Sequence, residues 1–370
     1  MIVGVPKEVK DNEKRVSLTP YGASELIKLE HTVLIEKNSG LGSGFSNNEY
    51  ENAGAKIIDC REDIFSDSDM IIKVKEPQPD EVLLIKNNQI VFTFFHFAAD
   101  KSLTKGIIDS GCSAIAYETV QNDDNSLPIL IPMSEVAGRM SVQNGAKCLE
   151  GNMGGKGKLL GGVPGVDAAT VTILGGGIVG SNAAKLAAGL GANVYILDVD
   201  MSRLRYLDDI MPANVQTIHS NTHNIEDLLT YTDLLIGSVL VVGSKAPNLV
   251  SKKMLKLMSP GSVIVDVAVD QGGCVETCKP TTHKNPTYKV DEVVHYCVSN
   301  MPGSVPHTST LALTNITLPY IKELADKGLS ALKYNNSLLK GLNISNGKVC
   351  HKGVADTFNL PYCTPDSLLQ

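Results

Sequence analysis

Residues Gly175-Gly176-Gly177-Ile178-Val179-Gly180 follow directly on the apolar run Val171 to Leu174, and a second apolar run, Val194 to Leu197, ends at Asp198. Glycines spaced G-x-G-x-x-G between a strand and a helix commit this stretch to a βαβ unit of a parallel sheet. Gly175 permits the tight turn, Gly177 lets backbone approach a pyrophosphate, and Gly180 lets the helix, opened by Ile178 and Val179, pack close to the strand. The helix start offers unpaired N–H groups and the positive end of its dipole to phosphates. A carboxylate at Asp198 accepts both ribose hydroxyls and repels a 2′-phosphate, so the pattern points to NAD.

The same alternation runs from end to end and predicts an α/β fold with two doubly wound, Rossmann-like domains and a cleft between them. At 370 residues the chain is too long for one ordinary core. In the first third the expected strands are Ile2–Val5, Val33–Glu36, Lys56–Ile58, Met70–Val74, Ile90–Phe94 and Ser113–Ala116. Thr19-Pro20 reads as an N-cap with proline at the first helical position, and Ser46 to Glu49 as a capping box. From Ala169 the pattern restarts with Val171–Leu174, a helix over Val179–Leu190 and Val194–Leu197, followed by strands at Val215–Ile218, Leu234–Gly237, Ser262–Val267 and Val293–Val298. Pro132–Glu150 reads as a helix joining the domains, and Gly151–Gly165 as a glycine-rich loop. After Pro306 helices are expected at Leu318–Leu329 and Gly328–Leu342, in a tail that returns to the first domain. The expected division is residues 1–130 with 306–370 as a substrate and catalytic domain, and 131–305 as the NAD-binding domain.

Composition narrows the partners. A net charge of -7 argues against nucleic acid, and 43% hydrophobic with 20% charged residues is ordinary for a globular chain. The longest window without Asp, Glu, Lys or Arg, Val293 to Ile321, carries Pro302, Pro306 and Pro319, so no membrane span is expected. No signal-peptide pattern precedes Pro6, which suggests a cytoplasmic protein. Cys274 and Cys278 are spaced C-x-x-x-C without a second pair, so reduced thiols rather than a metal site are expected.

Ligands of open α/β sheets lie at the carboxyl ends of strands. There the sequence places Arg15, Lys75 and His96 in the first domain, and Asp270 and Asn300 in the second. Arg15 sits in the charge run Glu13-Lys14-Arg15, whose ordinary place is a wet surface. A guanidinium and an ammonium together suit a substrate carboxylate, and an imidazole with an unperturbed pKa of about 6.5 can move a proton near neutrality. The residues alone imply a dehydrogenase for an anionic substrate and leave hydroxy acid and amino acid equally open.

Longer motifs carry a resemblance that covers nearly the whole chain. They include Gly4-Val5-Pro6-Lys7-Glu8, Asn12-Glu13-Lys14-Arg15-Val16, Lys73-Val74-Lys75-Glu76-Pro77 and His96-Phe97-Ala98-Ala99-Asp100. Ala116 to Val120, Pro132 to Arg139, Leu160 to Val166, Lys245-Ala246-Pro247, Val265 to Thr277 and His295 to Gly303 follow in order. Together they resemble the alanine dehydrogenase family. The resemblance implies reversible oxidative deamination of L-alanine to pyruvate and ammonia with NAD. It implies that Arg15 and Lys75 hold the substrate carboxylate and that His96 and Asp270 are the catalytic acid and base. It also implies NAD contacts at Ser134, Gly175, Gly177, Ile178, Val179, Gly180, Asp198, Arg203, Ser220, Val239, Leu240, Val267, Val298, Ser299, Asn300 and Met301, and a homo-oligomer, commonly a hexamer. His307 departs from the family's usual arginine, and Gly237 to Gly243 from its more usual alanine and proline. The rival readings are a transhydrogenase-like nucleotide-binding subunit, a saccharopine dehydrogenase, or a non-catalytic NAD-binding module. Retention of Arg15, Lys75, His96 and Asp270 together disfavours the last.

Overall fold

Two sheets organise the chain in a computed structural model that describes residues 1–239 and 246–368. Leu240 and Lys245 lie outside the described residues. Contacts divide the chain into two units: Met1–Met133 together with the chain from Val305 onward, and Ser134–Ser304.

The first unit begins with six strands: β1 (Ile2–Val5), β2 (Thr32–Glu36), β3 (Lys56–Ile58), β4 (Met70–Ile72), β5 (Ile90–Thr93) and β6 (Ser113–Ala116). They pair in parallel in the order β3-β2-β1-β4-β5-β6, the doubly wound order with its reversal between β1 and β4. Helices cover both faces, so these strands read as continuous apolar runs rather than alternating ones. Val3, Ile71, Val91 and Ala114 are all fully buried. Local chemistry sets the helix starts. Thr19 accepts the Gly22 N–H at the head of helix Pro20–Lys28, and Ser46 and Glu49 form a reciprocal capping box at helix Asn47–Asn52.

The second unit holds β7 (Thr170–Leu174), β8 (Asn193–Asp198), β9 (Val215–His219), β10 (Leu234–Gly237), β11 (Val263–Asp266), β12 (Thr287–Val290) and β13 (Val293–Tyr296). Its order, β12-β13-β11-β10-β7-β8-β9, again reverses beside the first strand, between β7 and β10. Among the described strands of this sheet only β12 pairs antiparallel, at the sheet edge. The expected strands are present with ends shifted by a few residues. The apolar runs at Met70–Val74, Ile90–Phe94 and Val293–Val298 outlast their strands, because burial continues where ladder pairing stops.

The tail corrects two expectations. Helix Pro306–Lys327 starts with Pro306 in its first turn and runs through Pro319, well before the expected start at Leu318. Its first half is rich in Ser and Thr and hides its burial from a hydropathy reading, yet Ser309, Thr310, Thr314 and Thr317 are buried. Residues 328–342 do not form the expected single helix; a 3₁₀ stretch, Gly328–Lys333, and a short helix, Asn336–Gly341, lead into β14 (Leu342–Ser345) and β15 (Lys348–Val349). β14 pairs antiparallel with β6 and extends the first sheet to eight strands. Among the described residues, no helix is long and apolar enough to cross a membrane.

Candidate functional site

In the first unit the polar residues gather at the reversal point. The loop after β1 carries Glu13 and Arg15, and the chain leaving β4 carries Lys75. Two members of the charge run that suggested a wet surface are buried instead: the side chains of Arg15 and Glu13 are 2% and 0% exposed, while Lys14 is exposed. Glu13 takes the guanidinium in a two-point fork, Nε to Oε1 at 2.7 Å and Nη2 to Oε2 at 2.6 Å, while Nη1 faces the Met133 sulfur at 3.1 Å. The tail holds this loop, since the Val16 N–H donates to Thr310 Oγ1 at 3.1 Å. Ser17 Oγ also donates to the carbonyl of Ile72 at the end of β4, at 2.8 Å.

Lys75 lies within electrostatic reach of Arg15 and Glu13. Burial, and then the Arg15 charge, push its ammonium below the usual lysine range. Its backbone is held from two sides. Glu8 Oε1 accepts the N–H of Val74 at 2.6 Å and that of Lys75 at 3.4 Å, and Thr93 Oγ1 donates to the Lys75 carbonyl at 2.9 Å. Glu8 is fixed in turn by the fully buried Lys73, which also contacts Glu81 at 3.0 Å. Breaking such a buried group of charges is costly because it strands an unpaired ion in the core.

His96 stands three residues beyond β5 in a left-handed conformation, φ 52°, that a residue with a Cβ adopts only when its surroundings enforce it. The enforcing group is Glu118, whose carboxylate accepts the N–H groups of both Phe95 and His96. The imidazole is exposed and stacks on Phe94, with ring centroids 5.7 Å apart and planes 4° from parallel. It is therefore no core histidine.

In the second unit the glycine turn behaves as its sequence predicts. Gly175 has φ 101°, and a Cβ on Gly180 would stand 1.9 Å from the Gly175 carbonyl oxygen, so neither position accepts a side chain. A Cβ on Gly177 would meet nothing within 4 Å, and no side chain caps the helix Ile178–Gly189 behind it. An open, uncapped helix start of this kind fits a dinucleotide phosphate. Asp198 ends β8 and accepts the Gly176 N–H at 2.7 Å and the Asp200 N–H at 3.0 Å. Arg203 Nε donates to the Gly176 carbonyl at 2.6 Å, and its guanidinium lies over the Tyr206 ring at 5.0 Å. Across the reversal point, Ser238 after β10 donates to the carbonyls of Leu174 and Gly175. Val239 follows it and is half-buried, with its Cγ2 3.0 Å from where a Gly175 Cβ would be.

Asp270 is exposed, in a 3₁₀ turn beyond β11, and accepts a hydrogen bond from Ser299 Oγ. Ser299 and Asn300 follow β13, with Asn300 left-handed at φ 59° and Val298 and Met301 buried. The Val267 N–H donates to the Gly237 carbonyl at 2.8 Å, and the Ser220 N–H to the Asp198 carbonyl at 2.9 Å. Ser134 lies on the helix Leu130–Cys148, whose Gly138 packs so tightly that a Cβ there would stand 2.2 Å from the Val179 carbonyl oxygen. His307 belongs to the first unit, where Nδ1 contacts the Ser43 carbonyl at 2.7 Å and the ring lies against Phe45. The supporting carboxylates Glu8, Glu13 and Glu118 are the residues that sequence reading missed. Their one signal is position, inside the motifs that carry Lys7, Arg15 and Tyr117.

Two doubly wound sheets, one bearing a G-x-G-x-x-G turn before an uncapped helix and the other a buried arginine and a half-buried lysine at its reversal point, define a Rossmann-type nucleotide-binding protein. Residues 4–137 match the family described as Alanine dehydrogenase/PNT, N-terminal domain, and residues 141–352 match Alanine dehydrogenase/PNT, C-terminal domain. The chain belongs to the alanine dehydrogenase/PNT family, and is an oxidoreductase that works with a nicotinamide nucleotide. An alanine dehydrogenase of Methanococcus maripaludis is 54% identical over 100% of both chains, and one of Bacillus subtilis is 53% identical over 100% of this chain and 98% of its own. A solved structure titled L-alanine dehydrogenase superposes with a TM-score of 0.95 at 50% identity, covering 97% of this chain and 99% of that one. A transhydrogenase from Sinorhizobium meliloti superposes at 0.80 with 23% identity over 95% of this chain and 99% of its own, a likeness of fold.

Proposed function

We propose that the chain catalyses the reversible oxidative deamination of L-alanine, in which alanine, water and NAD⁺ give pyruvate, ammonium, NADH and a proton. The carrying observation is the half-buried Lys75 ammonium within electrostatic reach of the Arg15–Glu13 fork at the reversal point of the first sheet. Two cations against one resident carboxylate leave a net positive charge, which suits the carboxylate of a small zwitterion. Full-length relatives that bear the name alanine dehydrogenase support the same substrate.

In this reading residues 1–130 with 306–370 hold the substrate, and 131–305 hold the cofactor. Arg15 and Lys75 fix the carboxylate, so that Cα is presented in one orientation. The bound nicotinamide nucleotide supplies the hydride acceptor. His96 relays the protons that must move as water adds to the imine and ammonia departs. Asp270, oriented by Ser299, stabilises the cationic imine and directs the water. Asp198 at the end of β8 favours ribose hydroxyls over a 2′-phosphate, and Arg203 is engaged by the Gly176 carbonyl and Tyr206, which supports NAD over NADP. Family resemblance supports a cytoplasmic homohexamer.

The test is absorbance at the reduced-cofactor band with purified protein. L-alanine with NAD should give rapid reduction, while L-lactate, saccharopine, or NADP in place of NAD should give far less. Equal rates with lactate, or a preference for NADP, would reject the reading.

A further inference from the structure

We infer that Glu13 is a positioning residue for the substrate carboxylate, holding one edge of the Arg15 guanidinium so that its Nη1 side and Lys75 act as a single cationic grip; the inference rests on the amino-acid dehydrogenase reading above. The Glu13 carboxylate holds Arg15 at three points, Nε at 2.7 Å, Nη2 at 2.6 Å and the backbone N–H at 3.1 Å, so side chain and main chain are fixed together. An arginine has many rotamers, and a two-point fork onto a buried carboxylate selects one guanidinium plane. What that plane presents toward Met133 is Nη1, opposite a thioether, a weak acceptor that an incoming carboxylate outcompetes.

Glu13 acts on Lys75 as well. The charges facing Lys75 are Arg15 and Lys10, which disfavour its ammonium, and Glu13 and Glu76, which favour it. Glu76 is itself paired with Lys10. Removal of the Glu13 charge takes away one of the carboxylates that favour the Lys75 ammonium, so the ammonium is lost at lower pH and carboxylate binding fails earlier on the alkaline side. A purely structural Glu13 would leave that alkaline limb where it is.

The experiment compares Glu13→Gln and Glu13→Asp with the wild type in alanine oxidation, NADH binding and thermal melting. Glu13→Gln should raise KM for L-alanine about tenfold or more, as loss of a hydrogen bond to a charged group does. Its kcat should hold within about threefold and its NADH affinity should be unchanged, while the alkaline limb of kcat/KM moves to lower pH. Glu13→Asp keeps the charge on a shorter arm, so it should return the limb toward its original place while KM stays raised. A folded Glu13→Gln protein with wild-type KM and an unmoved limb overturns the proposal. If Glu13→Gln does not fold, the KM of Glu13→Asp decides alone; if neither folds, the role is structural and the proposal falls. A wild type inactive on alanine would instead defeat the underlying reading, and the inference with it.

Discussion

Replacing Lys75 with alanine is expected to abolish measurable alanine oxidation while NADH binding stays near normal. Arg15 is paired with Glu13, and in the proposed reaction Lys75 supplies the further positive charge for the substrate carboxylate. Its partial burial makes the loss larger than that of a fully exposed lysine, because water screens the contact less. Glu8 and Thr93 hold the backbone of residue 75 without using its side chain, so the local fold should survive. Cofactor binding should survive because the glycine turn belongs to the other unit. Fluorescence titration with NADH and a coupled rate assay on one preparation check both halves. Preserved turnover, or lost NADH binding in a folded variant, would reject the assignment.

His96→Ala should lower kcat by about 10²–10⁴, the usual contribution of a positioned acid or base, with a much smaller change in KM. The exposed ring contributes little to the core, so the variant should fold. The position is left-handed, and alanine there carries backbone strain of order 1 kcal/mol. His96→Asn removes the proton relay while suiting the left-handed turn, and should lose activity to the same extent. A mild loss in both variants would leave His96 only its stacking contact with Phe94.

The parallel cores were legible from sequence for a physical reason. Strands buried on both faces must be apolar throughout, and the helix starts between them carry their caps in the open, at Thr19 and Ser46. The glycine turn was legible residue by residue, because Gly175 and Gly180 leave no room for any side chain. The antiparallel additions were not. β12 and β13 are joined by Asp291 and Glu292, both at positive φ, where no glycine marks the turn. The β14–β15 turn does have an Asn346-Gly347 signal, but it follows a stretch whose Leu spacing reads as helix. At the candidate site, Arg15, Lys75 and His96 could be placed beyond strand ends, whereas the carboxylates that support them could not. Glu13 looked like part of a solvated charge run and is fully buried, because pairing with Arg15 offsets the cost of removing both charges from water. Glu118 lies far from His96 in sequence and meets it only because β5 and β6 are neighbours.

The proposed reaction has hydrogen pass directly from Cα of a small amino acid to the nicotinamide nucleotide. Incubation of the protein with L-[2-²H]alanine and NAD⁺ in ordinary water, followed by mass spectrometry of the reduced cofactor, tests it most directly. The account predicts deuterated NADH, and unlabelled NADH when unlabelled alanine is used in heavy water. Unlabelled NADH from the deuterated amino acid, or no reduction of NAD⁺ at all, would contradict it.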